Sequence, residues 1–204
     1  MTELDLSIRS VPIQERSKAT LEHILDAAME LLAEVGIEGF NTNALAERAD
    51  LSVRAIYRYF PNKHAILVML AERLYEQERY WLRDLADPTS NGAVADFVDT
   101  SIERYYEGAS QITGIAALRH AIRANRDLRA TEDNASRILE KELAAGLATL
   151  GLPFTKDEIA AFCRVIIETT TAVMDLALNE TEEEGRRLVD AHKLILISAL
   201  KLYT

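Results

Sequence analysis

Turn-forming residues are scarce in this chain: 8 Gly and 4 Pro among 204 residues, about half the share usual in globular proteins. So few breakers in so long a chain disfavour a fold of many short strands and favour long helices. The single cysteine, Cys163, excludes an intramolecular disulfide and points to a reducing compartment, so a cytoplasmic location is expected. The longest uncharged run, Leu143 to Thr155, has 13 residues and contains Gly146, Gly151 and Pro153. A membrane span needs about 20 apolar residues, so no membrane partner is expected. The first residues include Glu3 and Asp5 and no apolar stretch, unlike a secretory signal. Catalytic signatures are missing as well. There is no Gly-rich phosphate loop and no Gly-x-Ser-x-Gly turn around a nucleophile. None of the four histidines (His23, His64, His120, His192) has Glu three residues before it, as the paired ligands of di-iron bundles require. Only His23 has a carboxylate three residues on, Asp26. No catalytic residue, metal or cofactor is expected, and the chain reads as a non-enzyme. Cys163 sits on an apolar helical pattern and reads as inert core.

What is present is an ordinary globular composition, 49% apolar and 27% charged, with a net charge of −10. Taken alone, that charge argues against a nucleic-acid partner. Punctuation by Gly and Pro gives about nine helices, over 15–35, 42–49, 53–59, 62–86, 93–108, 112–125, 127–149, 155–179 and 182–203. No window alternates long enough for a strand, so the fold class is all-α. The fifth segment is the clearest: Val94, Phe97, Val98, Ser101, Ile102 and Tyr105 recur at the spacing of one helical face. The first does the same with Leu21, Ile24, Leu25, Ala28, Leu32 and Val35, and is expected to stop at Gly36. Residues 1–14 lack a packing pattern and read as a mobile arm. Asp87 to Gly92 reads as a surface loop.

Residues 36–64 differ from the rest. Two short helices sit between much longer ones. Asn41, Thr42 and Asn43 can each cap a helix start; Leu45, Ala46 and Ala49 supply packing; Asp50-Leu51-Ser52 makes a tight turn; and Ser52 can cap the next helix, Val53 to Tyr59, which ends before Pro61. Short helices joined in this way form a helix-turn-helix. Asp50 stands where many such motifs have Gly, and Asp tolerates positive φ better than most residues. From Leu51 to Ala71 there are three basic residues, Arg54, Arg58 and Lys63, and no acidic one. The acidic total therefore belongs to the rest of the chain, and this stretch is a basic island. Tyr57 and Tyr59 are placed to reach phosphates, and Arg54 and Arg58 phosphates or guanine edges. The plainer alternative is a solvated basic turn between helices.

The run Ala46-Glu47-Arg48-Ala49-Asp50-Leu51-Ser52, followed by Ile56-Tyr57-Arg58-Tyr59-Phe60-Pro61-Asn62-Lys63, resembles the DNA-binding domain of the tetracycline-repressor-like (TetR/AcrR) transcriptional regulators. The resemblance spans roughly residues 15–70. It implies a helix-turn-helix DNA-binding domain at 15–62 and an effector-binding and dimerisation domain at 63–204. It also implies a homodimer on a double-stranded, pseudopalindromic operator, acting as a ligand-responsive regulator, a repressor in this reading, with a small-molecule effector. Carried onto this chain, it implies phosphate contacts from Thr42, Ser52, Tyr57, Tyr59 and Lys63, and base reading from Val53, Arg54 and Arg58; Asn43 is grouped with this set. Arg54 stands where the family often has Gly, which puts a bidentate guanine contact in place of a close backbone approach. The rival reading is a helical small-molecule or partner-binding module with a vestigial helix-turn-helix.

The C-terminal half is less specific. In 155–179, Ile159, Phe162, Cys163, Ile166, Thr170 and Val173 share one face, widened by Ile167, Met174 and Leu178; in 182–203, Leu194 to Ile197 is apolar all round. Such helices need cover on every side, and a second subunit would supply it. Ile167, Met174, Leu178, Leu194 and Ile197 are therefore candidates for a dimer interface, the alternative being interior helices of a monomer. Candidate pocket residues are Trp81, Phe97, Tyr105, His120 and Phe162, with Thr170 as a polar group, although each also fits plain core. Arg119, Arg123 and Arg126 share a stripe that suits an anionic ligand or, more simply, a solvated face.

Overall fold

The computed structural model describes residues 14–82 and 94–203. The arm at 1–13, the loop at Asp87 to Gly92 and the end of the 62–86 helix past Leu82 lie outside the described residues. Among the described residues every regular element is a helix: α1 Glu15–Gly39, α2 Thr42–Arg48, α3 Val53–Tyr59, α4 Lys63–Trp81, α5 Val94–Ser110, α6 Ile115–Ala124, α7 Arg126–Thr149, α8 Lys156–Ala177 and α9 Glu182–Lys201. None of them is long and apolar enough to cross a membrane.

The helix starts are set by short-range chemistry. The Asn41 side chain accepts from the Asn43 and Ala44 amides at α2, and Ser52 Oγ accepts from the Ala55 amide at α3. Asn62 Oδ1 accepts from the Ala65 amide at 2.9 Å, so Asn62 caps α4 rather than opening it. Thr155 and Glu158 close a reciprocal capping box on α8, and Thr181 caps α9. Each cap satisfies backbone donors that the helix itself leaves without partners. Gly36 breaks α1 as expected, with φ 64, ψ −176, a conformation that only glycine adopts without strain. A further turn then runs to Gly39.

The helices form two compact units. The first takes the chain up to Leu74 together with Thr113–Glu132. Its core includes Ile24, Leu32, Phe40, Leu45, Ile56 and Phe60, all fully buried, and α6 packs along α1 although 75 residues separate the two helices in the chain. Exposed ion pairs join Arg73 to Asp26 and Glu22, and Arg48 to Glu34 and Glu30. The second unit, Tyr75–Ile112 with Asp133–Thr204, packs α5 and α8 against α9. Its core joins Phe97, Tyr105, Leu147, Cys163, Met174 and Val189. Trp81 lies so close to Gly108 that a Cβ there would fall 2.3 Å from the indole. Any larger residue at 108 would expel the ring. Lys193, nearly buried, bonds Asp99 at 2.9 Å and Glu103 at 2.6 Å, and Arg186 pairs with Glu103 as well.

Candidate nucleic-acid interface

The turn between α2 and α3 is held from three sides. Asp50 takes φ 51, the one non-glycine residue with positive φ among those described. The Leu51 amide then donates back to the Ala46 carbonyl at 2.9 Å. His23 Nε2 on α1 lies 2.9 Å from the Ala49 carbonyl oxygen. A carbonyl only accepts, so that nitrogen carries the proton. Ala46 is buried, which lets the backbone of α2 sit close to its neighbours.

With the turn fixed, the seven residues of α3 divide by face. Ile56, Tyr59 and Phe60 point inward and are buried, while Arg54, Tyr57 and Arg58 point outward and are exposed. Tyr57 Oη lies 3.3 Å from Thr42 Oγ1, joining the first turn of α2 to the outer face of α3. An open cleft of about 830 Å3 runs beside this face, lined by Ser52, Arg54, Ala55, Tyr57, Arg58 and Tyr59 of the α3 region and by Gln14, Arg16, Ser17 and Thr20 at the start of α1. Among the described residues three arginines and no carboxylate line it. Such a cleft attracts a polyanion, and its hydroxyls and arginine forks match phosphate oxygens.

The structure thus gathers Ser52, Arg54, Tyr57 and Arg58 in one place, with Thr42 attached through Tyr57 and Val53 half-buried at the helix start. Asn43 is exposed on α2, apart from the cleft residues. Tyr59 also lines the cleft, but it offers little surface there for the expected phosphate contact. It is 3% exposed, and its hydroxyl donates to the Ser17 carbonyl at 3.4 Å. Its position three residues after Ile56 turns it into the core, where it ties α3 to α1, and Arg58 lies over the edge of the site with its guanidinium 5.6 Å from the Tyr59 ring centre. Lys63 is half-buried and donates to the Phe40 carbonyl at 3.2 Å; an ammonium has two further donors. Sequence reasoning missed Gln14, Arg16, Ser17 and Thr20. Their signal was a polar start to α1, and only the tertiary fold sets that start beside α3.

The second unit holds a small apolar cavity of about 60 Å3, lined by α5, α7, α8 and Leu82. Of the pocket candidates, Tyr105 and Thr170 line it. Trp81 instead packs edge-on against Tyr105, 5.6 Å between ring centres, and Phe97 is core. Phe162 stacks with Phe154 and Tyr203 in a separate aromatic group. His120 is exposed in the first unit, because the buried stripe of α6, Ile115, Leu118, Arg119 and Ile122, turns it outward. Arg119 is buried on that stripe, not on a solvated face, while Arg123 is exposed. The side chain of Arg126 lies outside the described residues. The cavity walls that sequence reasoning missed include Ser101, Ile102, Leu139, Leu143 and Ile166. Burial pushes the Cys163 thiol up to about 11, with Glu140 adding to the shift, which keeps it an unreactive thiol. Among the described residues no three metal-ligating side chains stand together.

The outer faces of α8 and α9 carry exposed apolar residues: Val165, Leu176, Leu194 at 66%, Ile195 at 64%, and Leu202. Leu194 was in the expected interface set. Met174 was too, but it is fully buried within its own chain. Ile167 is half-buried and lines the cavity, and Leu178 and Ile197 are half-buried against the same core. The apolar run at 194–197 is therefore split: Leu196 faces in, and Leu194 and Ile195 face out.

Comparison with known proteins adds the following. The family described as bacterial regulatory proteins, tetR family, matches residues 24–70, and the tetracyclin repressor-like C-terminal domain matches residues 92–203, more than half of the chain. The chain is 42% identical over 60 residues to the HTH-type transcriptional repressor KstR of Rhodococcus jostii (strain RHA1), covering 29% of this chain and 28% of that one. The match thus spans under a third of that relative's length. In fold it is similar to Salmonella enterica GusR, with a TM-score of 0.71 at 19% identity over 93% of this chain and 98% of the other. It is also similar to the SmeT–triclosan complex, with a TM-score of 0.67 at 20% identity over 89% of this chain and 91% of the other.

Proposed function

The chain belongs to the tetR family of bacterial regulatory proteins, and from that premise we propose that it is a transcriptional repressor that binds an operator as a homodimer and releases it when a small-molecule effector binds. The observation that carries the reading is the outer face of α3. Arg54, Tyr57 and Arg58 are exposed on a short capped helix and open onto a cleft whose only charges are positive. That face suits the major groove: Arg54 and Arg58 reach base edges or phosphates, and Ser52, Thr42, Tyr57, Lys63 and the start of α1 hold the backbone. Tyr59 acts as a positioning residue through Ser17. In this reading 15–62 binds DNA, 63–204 binds effector and partner, and the protein works in the cytoplasm.

Two recognition helices must match half-sites about 34–36 Å apart, or a multiple of that. The homodimer is supported by the exposed apolar faces of α8 and α9, which need cover. Effector response is supported by the cavity and by the small molecule named in the SmeT complex. An effector lowers DNA affinity only if it favours a conformation that fits DNA less well. α4 is a natural lever, since Lys63 and Trp81 are its ends, about 27 Å apart along an unbroken helix. The test is a mobility-shift titration with DNA from upstream of the protein's own gene. Saturable, sequence-selective binding that is lost in Arg54→Ala/Arg58→Ala supports the proposal. Equal affinity of wild type and double variant for all DNA would overturn it and favour the vestigial-motif alternative.

A further inference from the structure

The cavity in the second unit has a distinctive chemistry. None of its described lining residues carries a charge, and most of them are Leu and Ile. Four lining residues carry hydroxyls, Ser101, Tyr105, Thr170 and the half-buried Thr171, and the first two are committed elsewhere. Ser101 Oγ donates to the Phe97 carbonyl at 2.6 Å, and Tyr105 Oη donates to Glu78 at 2.8 Å. Thr170 Oγ1 is different. It shares a 2.9 Å hydrogen bond with His192 Nε2, a ring nitrogen that donates in one tautomer and accepts in the other. Thr170 can therefore offer the cavity either a proton or a lone pair, depending on which tautomer stands behind it. Burial lowers the His192 pKa and keeps the ring uncharged at neutral pH. The adjacent Lys193 is already paired with Asp99 and Glu103.

We propose that this cavity binds small, uncharged, apolar molecules bearing one hydroxyl, which bond Thr170, and that it rejects carboxylates. The inference rests on the effector reading above and narrows the effector class. A carboxylate entering here would lose its water and find no cation among the lining residues, a costly transfer. A hydroxyl matches Thr170 in either tautomer of His192, and a ring or branched chain matches Ile102, Leu143 and Ile166. The space is under half of the about 150 Å3 that accommodates benzene in an engineered apolar cavity. A ligand must therefore push a wall aside, and half-buried Ile167 is the wall with room to move. Trp81, the only tryptophan, rests edge-on against Tyr105 and reports the displacement.

Cyclohexanol, benzene and cyclohexanecarboxylate are the probes, titrated into the full-length protein with Trp81 fluorescence as the readout. A ligand of about seven heavy atoms is expected to bind near 1 mM. Cyclohexanol and benzene should give saturable changes, and cyclohexanecarboxylate none over the same range. Thr170→Val should weaken cyclohexanol about fivefold, the worth of one neutral hydrogen bond, and leave benzene unchanged, while Thr170→Ser restores the difference. Ile167→Phe, which fills the space from its half-open side and adds no second tryptophan, should abolish both. Thermal unfolding of each variant without ligand separates lost binding from lost fold. Carboxylate binding that matches cyclohexanol and is lost in Ile167→Phe would overturn the class. Cyclohexanol binding indifferent to both variants, or no response to cyclohexanol at all, would overturn the site. If cyclohexanol binds as described while operator affinity stays constant, the cavity assignment stands and the effector reading falls.

Discussion

Replacing Leu194 with glutamate puts a charge where the dimer reading needs an apolar contact. Leu194 is 66% exposed on α9, beside Ile195 at 64%. Fully burying a leucine stabilises by about 1.5–3 kcal/mol, so covering the exposed part of Leu194 contributes about 1–2 kcal/mol per subunit. A two-fold dimer uses the residue twice, which makes the loss about 2–4 kcal/mol, or about 30- to 1,000-fold in the dimer dissociation constant. Two carboxylates left without partners in the interface push the loss toward the upper end. Sedimentation velocity from about 0.1 to 100 μM covers that range of dissociation constants. Wild type should sediment as a dimer, Leu194→Glu should shift toward monomer, and the monomer should unfold at nearly the wild-type temperature, since the side chain is exposed within its own chain. Met174→Ala is the contrasting variant. Met174 is fully buried within one chain, so its truncation should cost about 2–5 kcal/mol of folding stability and leave association of the folded protein nearly unchanged. A monomeric wild type, or a Leu194→Glu dimer as tight as wild type, refutes the interface. Dissociation in Met174→Ala with Leu194→Glu unaffected would show that the partner covers a different face.

Arg54→Ala should weaken specific DNA binding by about 1–3 kcal/mol and relax selectivity at one base pair per half-site; matching specificity profiles for variant and wild type would remove its base-reading role. Arg16→Ala should weaken binding to all sequences alike and flatten the plot of log affinity against log salt by about 0.9 per subunit, and an unchanged slope would take the start of α1 out of the interface. Stability should fall on the acid side for two separable reasons. His192 has its pKa lowered by burial, so the unfolded chain takes up its proton first and stability drops as pH goes below about 6.5. Glu103 has its pKa lowered, chiefly by the hydrogen bond from Lys193, so its contribution is present above the ordinary glutamate range and is lost as pH falls from that range through the lowered folded value. Thermal midpoints of His192→Gln and Glu103→Gln against pH check this: the first should flatten the upper part of the decline and the second the lower part, and parallel curves for all three proteins would contradict both.

Much of the first unit was legible in the sequence because the signals that define it act over three or four residues. Asn41 and Ser52 each cap a helix by bonding an amide two or three positions on. Gly36 breaks α1, and Asp50 accepts the positive φ of the turn. Chemistry of that range fixes where helices begin, and it marked α3 as a short basic helix after a tight turn. Which side of a helix meets which neighbour is set by the rest of the chain, and there the tertiary structure decided. Tyr59 and Tyr57 are two residues apart, about 200° around α3, so Tyr59 is buried with only its edge at the cleft while Tyr57 is exposed along it. Arg16, Ser17 and Thr20 join the basic face only because α1 folds back beside α3. α8 and α9 are apolar on more than one side, so periodicity could not choose between Met174, which the chain buries, and Leu194, which it leaves exposed. The cavity draws its walls from three helices and from Leu82, with 88 residues between the first and last in sequence, a grouping that no local pattern encodes because it exists only after those helices have packed.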